Sequence, residues 1–376
     1  MNMKLLSNPV RSIAFFLTAV ILACTFGFTV DGWQAADQQT NMPESEQKDE
    51  ELENNENTER PDTPEQDQTP EEPEIYIPEY TSRLTGLEVS KETAEATMLA
   101  FVINSGLPAY GISSADLFCE VPTEDGSTRL VAFIPESENL WKIGSITNTR
   151  GYISNMAKYF GGVLISSGSD DSISYTQCDI TGMQLDLSKN SGFHYTEYTD
   201  NVYTNRDLLN SGLGNAGIGA ESIVSTPLPF THTDFGADEV FFADSTAVEI
   251  SLEYSNNHSS ELKYNEDNCL YTLYQNGQAM LDALNGNAVN FKNCLILFAD
   301  SITYDNSNCN QMVMDTIGDG RGYYFTCGSY AEVRWTATSG GIMTLYSTSG
   351  EKLTVNRGTT FISYMKSSKG DSVIFQ

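Results

Sequence analysis

The chain has 376 residues, with 51 acidic against 20 basic side chains, for a formal charge of −31. Phosphate backbones and anionic headgroups repel such a polyanion, which argues against nucleic acid as a partner and against membrane binding through surface charge. The length allows one large domain or two small ones with a real core.

Residues 1–30 read as an export signal or membrane anchor. Lys4 and Arg11 precede an uncharged run from Ile13 to Val30, which Asp31 ends. Within it, Ile21-Leu22-Ala23-Cys24 is similar to a bacterial lipobox and makes Cys24 the expected lipidation site. The run continues past Cys24, and eighteen residues at about 1.5 Å each nearly match a bilayer core of about 30 Å, so an uncleaved helix is the alternative anchor. Either way the expected partner is the membrane, through the N terminus, and the expected location is its extracytoplasmic face.

Residues 31–80 read as a disordered acidic stalk. Between Asp37 and Glu74 fifteen acids stand against Lys48 and Arg60, with Gln, Asn, Thr and Pro between them. Such a composition cannot bury enough apolar surface to offset the entropy of ordering.

From about Thr81 short apolar runs alternate with Gly, Asn, Asp and Ser. Met98 to Ile103, Leu130 to Ile134, Gly162 to Ile165 and Val240 to Phe242 are predicted strands; Ser113 to Leu117, Ser154 to Phe160 and Arg206 to Asn210 are predicted short helices. Beyond Ala243 nearly every run predicts a strand, beginning with the alternating Val248 to Tyr254 and ending with Thr359 to Tyr364. The expected lobes are therefore 81–243, mixed α and β, and 244–376, mostly antiparallel β.

No cofactor motif and no metal-ligand spacing stands out. Gly318-Asp319-Gly320-Arg321-Gly322 is followed by Tyr323-Tyr324-Phe325 instead of a helix, so it predicts a glycine-rich turn and no phosphate loop. His194, His232 and His258 are the only imidazoles; the last two read as loop residues. Cys294 reads as a buried thiol, whereas Cys269, Cys309 and Cys327 are the better disulfide candidates. Asp116 and Glu120 would share one face of a helix covering both, and Arg129 and Arg150 are their nearest cationic partners in sequence. These four predict either a buried ion-pair network or the lining of a ligand cleft.

An ordered series of blocks resembles the YerB-like lipoprotein family, a bipartite domain of unknown function in Gram-positive bacteria. In the first lobe they are Leu84-Thr85-Gly86-Leu87, Gly111 to Glu120, Thr128-Arg129, Ile143 to Arg150 and Asn201-Val202-Tyr203-Thr204. In the second they are Tyr271 to Gly277, Asp282, Asn293-Cys294-Leu295-Ile296, Gly318-Asp319-Gly320, Arg334-Trp335 and Asn356 to Phe361. The resemblance implies an α+β fold, with a three-layer ββα sandwich joined to a β-rich lobe, and it implies export; it implies no established activity. It adds Asn201, Tyr203 and Asp282 to the ligand-binding candidates. Where the family carries basic residues this chain has Thr147, Asp200, Thr272 and Met280, which removes groups that could hold an anion or act as acid and base.

The expected function is a non-catalytic envelope binding or scaffolding lipoprotein, with a cell-wall or envelope protein as partner. The alternative is a hydrolase or transferase of cell-wall glycan or peptide, using Asp116, Glu120 or Asp282. Carboxylates converging in an open cleft would favour the enzyme.

Overall fold

The protein is seen in a computed structural model that describes residues 75–136, 139–168, 183–197, 201–218, 228–306, 309–338 and 341–376. The expected anchor with Cys24, residues 31–74 of the expected stalk, Cys178 and Asp200 lie outside the described residues, whereas residues 75–80, expected to be disordered stalk, are described and Ile75, Ile77 and Pro78 line a cleft.

In chain order the first half gives β1 Met98–Asn104, β2 Leu117–Pro122, β3 Thr128–Pro135, β4 Ile143–Ile146, β5 Val163–Ser166, β6 Gln184–Asp186, β7 Tyr195–Glu197 and β8 Asn201–Thr204. The second half gives β9 Glu249–Ser255, β10 His258–Asn265, β11 Leu270–Gln275, β12 Gln278–Ala279, β13 Asn290–Phe291, β14 Asn293–Ala299, β15 Ser301–Asn306 and β16 Cys309–Met314. It closes with β17 Asp319–Thr326, β18 Ser329–Ala337, β19 Met343–Ser347, β20 Lys352–Leu353, β21 Thr360–Lys366 and β22 Val373–Phe375. The main helices are Gly151–Tyr159 and Arg206–Ala216, the latter capped by the Asn205 side chain, which accepts from the Leu208 amide at 3.0 Å.

The two halves share a sheet. One 14-stranded sheet runs β20-β19-β18-β17-β14-β21-β2-β3-β1-β4-β8-β7, with β5 on β1 and β6 on β5. The join is β21, which pairs in parallel with β14 on one side and β2 on the other. Its sequence Thr-Phe-Ile-Ser-Tyr-Met-Lys is buried at every position but the last, as a strand covered on both faces requires. Residues 71–376 accordingly form a single compact unit.

A second, six-stranded sheet, β12-β11-β10-β9-β22 with β13 on β11, covers part of one face. The alternation of β1 sets the two cores: Leu99, Phe101 and Ile103 pack with Ile250, Leu252, Leu262 and Leu273 of the second sheet. Ala100 and Val102 pack on the opposite side with Tyr152, Ile153 and Met156 of the first long helix. Gly162 lets that helix return closely, since a Cβ there would lie 3.0 Å from Ala100 Cβ and 3.1 Å from Phe133 Cε1.

Four local expectations change. The helix expected over 113–117 is a 3-10 turn, Ile112–Ser114, because Leu117 onward is taken up by pairing with β3 and β21. Val240 to Phe242 is not a strand: the Val240 amide donates to Asn356 Oδ1 and the Phe242 amide to Ser329 Oγ, so side chains replace a ladder. The glycine run is the start of β17, with Gly320 and Gly322 placed where a Cβ would meet Phe298 O at 2.4 Å and Ile296 O at 2.5 Å. His258 opens β10 and is buried, whereas sequence made it a loop residue.

Candidate functional site

Period-two alternation along β2 turns Glu120 to the same side as Phe118, towards the second sheet, where it is fully buried. Its Oε1 accepts from Thr128 Oγ1 at 2.8 Å, Ser260 Oγ at 2.9 Å and Gln275 Nε2 at 3.0 Å. Its Oε2 accepts from the Tyr254 hydroxyl at 3.0 Å, and that hydroxyl also meets Ser363 Oγ at 2.6 Å. Thr128 has a single proton and gives it to Glu120, so His258 Nε2, 2.7 Å away, donates to Thr128. Burial and the adjacent carboxylate push the Tyr254 hydroxyl well above its ordinary pKa, keeping it a donor. Glu120 is thus a polar pin between the two sheets, held by three hydroxyls and an amide, with His258 Nε2 3.5 Å from its Oε1.

Asp282 is also fully buried and closes a clasp between the halves. Its Oδ1 accepts from the amides of Gly111 and Leu284, both at 2.8 Å. Its Oδ2 accepts from the Ser113 amide at 2.9 Å and hydroxyl at 2.6 Å. Asp116 sits apart, half-buried, and takes the Ser82 hydroxyl at 2.6 Å; burial raises its pKa against that hydrogen bond. The three candidate acids therefore occupy separate places and do not converge in a cleft.

The arginines find other partners than those expected. Arg150, 4% exposed, pairs with Glu124 of the β2–β3 turn, its Nε lying 3.0 and 3.1 Å from the two carboxylate oxygens. Its Nη1 and the Nη2 of Arg129 meet on Asn148 Oδ1 at 3.3 and 3.2 Å. Neighbouring Asp125 is held down to about 2: burial opposes this, but hydrogen bonds from Thr123 and Ser127 and the Arg129 charge prevail. Asp116 and Glu120 lie before and within β2, whereas the turn after it brings Glu124 and Asp125 to the guanidiniums. Nearness in sequence does not report this.

Tyr203 of β8 is buried in an aromatic corner. Its ring lies edge-on to Tyr110 at 5.5 Å, and Lys142 Nζ stands 4.0 Å over Tyr110 and 4.3 Å over Tyr203. Glu197 fixes that ammonium at 2.5 Å. Asn201 pairs in register with Glu197 at the start of β8. Gly144, at φ 150°, admits the Tyr203 ring, which a Cβ would approach to 2.6 Å.

The disulfide expectation is not met for two of its cysteines. Cys269 and Cys327 are free thiols, with Cys327 Sγ 3.2 Å from Glu239 Oε2 and Cys269 Sγ 3.6 Å from the Glu266 carbonyl of its own turn. The Cys309 side chain lies outside the described ones. Cys294 is buried in β14, as expected, and burial pushes its pKa well up. Among the described residues no cluster of His, Cys, Asp and Glu could hold a metal, and no helix is long and apolar enough to cross a membrane.

Sequence reasoning missed the cleft that lies where residues 75–78 meet the loop 228–235. Ile75, Ile77, Leu228, Phe230 and Ile342 wall it, and His232, Asp234, Lys352 and Arg357 are among its polar lining. Arg357 stacks its guanidinium on Phe235, 3.4 Å from the ring centroid, and donates from Nη1 to the Gly86 carbonyl. Its Nε is buried and has no hydrogen-bond partner among the described residues. His232 Nε2 donates to the Leu84 carbonyl at 3.2 Å, which leaves Nδ1 as an acceptor. Burial lowers the His232 pKa to about 4, with Arg357 acting the same way and the Leu84 contact opposing. Gly86, at φ 66°, is required because a Cβ would lie 2.7 Å from the His232 ring. The available signal was that Leu84 to Leu87 and Asn356 to Phe361 both recur in the family. Nothing in either block named the other.

A smaller cleft, lined by residues 105–109 and by Gln275, Gln278 and Met280, lies beside the Glu120 pin. Met280, near the place where the family usually carries a histidine, lines it, while Thr272 donates to Asn290 Oδ1 at 2.7 Å.

These features belong to a β-rich, two-part fold without an established activity. The N-terminal domain of a protein family of unknown function (DUF3048) matches residues 84–219, and its C-terminal domain matches residues 250–362. The chain belongs to this family, which confirms the YerB-like organisation. No curated protein matches it. A similar crystal structure is that of the YerB protein from Bacillus subtilis, with a TM-score of 0.66 and 20% identity, covering 79% of this chain and 99% of that one. At this identity the likeness is one of fold.

Proposed function

We propose that the protein is a membrane-tethered, extracytoplasmic lipoprotein acting as a non-catalytic binding module, with its ligand site in the cleft of His232, Phe235 and Arg357. The cleft itself carries this reading. It combines apolar walls with a stacked guanidinium whose Nε is unpartnered among the described residues, and with a histidine kept neutral by burial. Such a lining suits an anionic ligand with an apolar body. The saturation of Glu120 and Asp282 by the protein's own donors supports binding over acid–base chemistry. The lipobox-like segment ending at Cys24 and the acidic stalk support export and tethering. A three-layer ββα arrangement of the first half is part of the same reading, supported by the helix Gly151–Tyr159 on one face of the large sheet and the second sheet on the other.

The test uses anilinonaphthalene sulfonate, an aromatic anion, as the probe. Wild-type protein is expected to bind it saturably, and Ile342→Asp, which alters a half-exposed wall residue, is expected to weaken binding at least tenfold with an unchanged melting temperature. Equal binding by both proteins would overturn the assignment.

A further inference from the structure

The strand register sets up a second polar feature, on β17 to β20. In the ladder between β17 and β18, Arg321 stands directly opposite Arg334. Arg334 is in turn opposite Tyr346 of β19, and Tyr346 is opposite Lys352 of β20. Three cations and one aromatic ring thus occupy a single row across four strands, and cross-strand partners project from the same face of a sheet. Both arginines are exposed.

Two features make the pair unusual. Like charges directly opposite one another destabilise a sheet, and this chain has 51 acids available to neutralise its 20 bases. Yet neither arginine forms an ion pair with a carboxylate among the described residues. Glu332, the nearest acid on that face of β18, stands opposite Tyr323, one row away. Arg321, Arg334, Glu332, Tyr323 and Phe298 line one open cleft together with Thr348. The Tyr323 ring is fixed by Phe375 at 5.1 Å and Phe298 at 6.0 Å, so the floor beside the guanidiniums is held in place.

We infer that the Arg321–Arg334 pair, with Tyr346 and Lys352 in the same row, is a binding site for an extended ligand bearing phosphate groups. Two guanidiniums on Cα atoms about 5 Å apart can bracket one phosphate, whose oxygens point in several directions. A planar carboxylate is satisfied by a single guanidinium fork, so a second arginine at this distance is better suited to phosphate. Lys352 lies two strands from Arg334, about 10 Å, and meets a second phosphate as a point charge. Tyr346 lies between them and offers a ring face to the organic part joining the two. The site shares only Lys352 with the cleft of Arg357; Arg321 and Arg334 line a different cleft, so the double arginine variant tests the site apart from what the Arg357 cleft binds.

The experiment titrates the full-length protein with fluorescently labelled inorganic polyphosphate about ten units long, at several salt concentrations, with polyglutamate of equal length as the carboxylate probe. The expected result is saturable binding of polyphosphate that weakens as salt rises, at least tenfold weaker in the double variant Arg321→Gln/Arg334→Gln and about threefold weaker in Lys352→Gln. Polyglutamate is expected to bind at least tenfold more weakly than polyphosphate. Equal affinity of the double variant and the wild type would overturn the proposal, and so would equal binding of the two polymers. A ligand-free thermal melt guards against a folding artefact: Arg334→Gln removes a repulsion and should melt a degree or two higher. A lower melting temperature would assign the pair to the fold and overturn the site.

Discussion

Glu120 and Arg357 are both charged groups set into the large sheet's surroundings, but their polar atoms are used differently. Each oxygen of Glu120 faces a hydroxyl or an amide of this chain, and the side chain has no exposed surface. Arg357 is half-buried at the wall of a cleft, and its Nε faces no acceptor among the described residues. The closed centre joins two sheets, and its removal is a question of stability. The open centre has hydrogen-bonding capacity that the fold does not use, and its removal is a question of binding.

The largest effects are expected at the closed centres. Glu120→Ala leaves three buried donors and the half-buried Gln275 amide without their acceptor and should cost on the order of 3 kcal/mol or more in urea unfolding. Arg150→Ala strands the Glu124 carboxylate and should cost a similar 3 to 5 kcal/mol, approximately. A loss of a few tenths in either variant would show that these groups do not hold the fold and would erase the distinction.

A smaller effect is expected at His232, where the open cleft touches the fold. Its pKa is lowered to about 4 in the folded chain, so the unfolded chain takes up a proton first as pH falls. The stabilisation is complete above about pH 6.5 and is lost as pH drops towards 4, on the order of 3 kcal/mol in all. His232→Gln should therefore narrow the stability gap between pH 7 and pH 4 relative to wild type. Parallel profiles for the two proteins would show that the ring is not held neutral.

No effect on the fold is expected from Cys24→Ala, although it should abolish fatty-acid labelling and leave the precursor unprocessed. Unchanged mass and unchanged membrane retention would replace the lipid anchor with an uncleaved helix. A shifted melting temperature would show that residue 24 contributes to the folded unit.

Much of the architecture was legible because it is written in local pattern. The continuous run Met98 to Ile103 and the alternating run Val248 to Tyr254 were read as strands, and they are buried on two faces and on one face respectively. The helices near Ser154 and Arg206 were also legible. Misreadings arose where a distant strand decided the outcome. The glycines at 320 and 322 were read as a turn, but they mark backbone approached closely by β14 and by Trp335. The short polar stretch ending in His258 looked like a loop, but β9 and Thr128 draw the histidine into the core.

The sequence by itself determined the family and the β-rich character, because strand period and motif order are properties of neighbouring residues. Only the tertiary structure decided which charges meet. Glu124 replaces Asp116 and Glu120 as the partner of Arg150, Glu120 is satisfied by Ser260 and Gln275 from 140 and 155 positions away, and Arg357 meets Gly86 across 271. Hydrogen bonds act over about 3 Å of space whatever the separation along the chain. The parallel insertion of β21 between β2 and β14 brings the two halves within that distance, and no local pattern in either half records it.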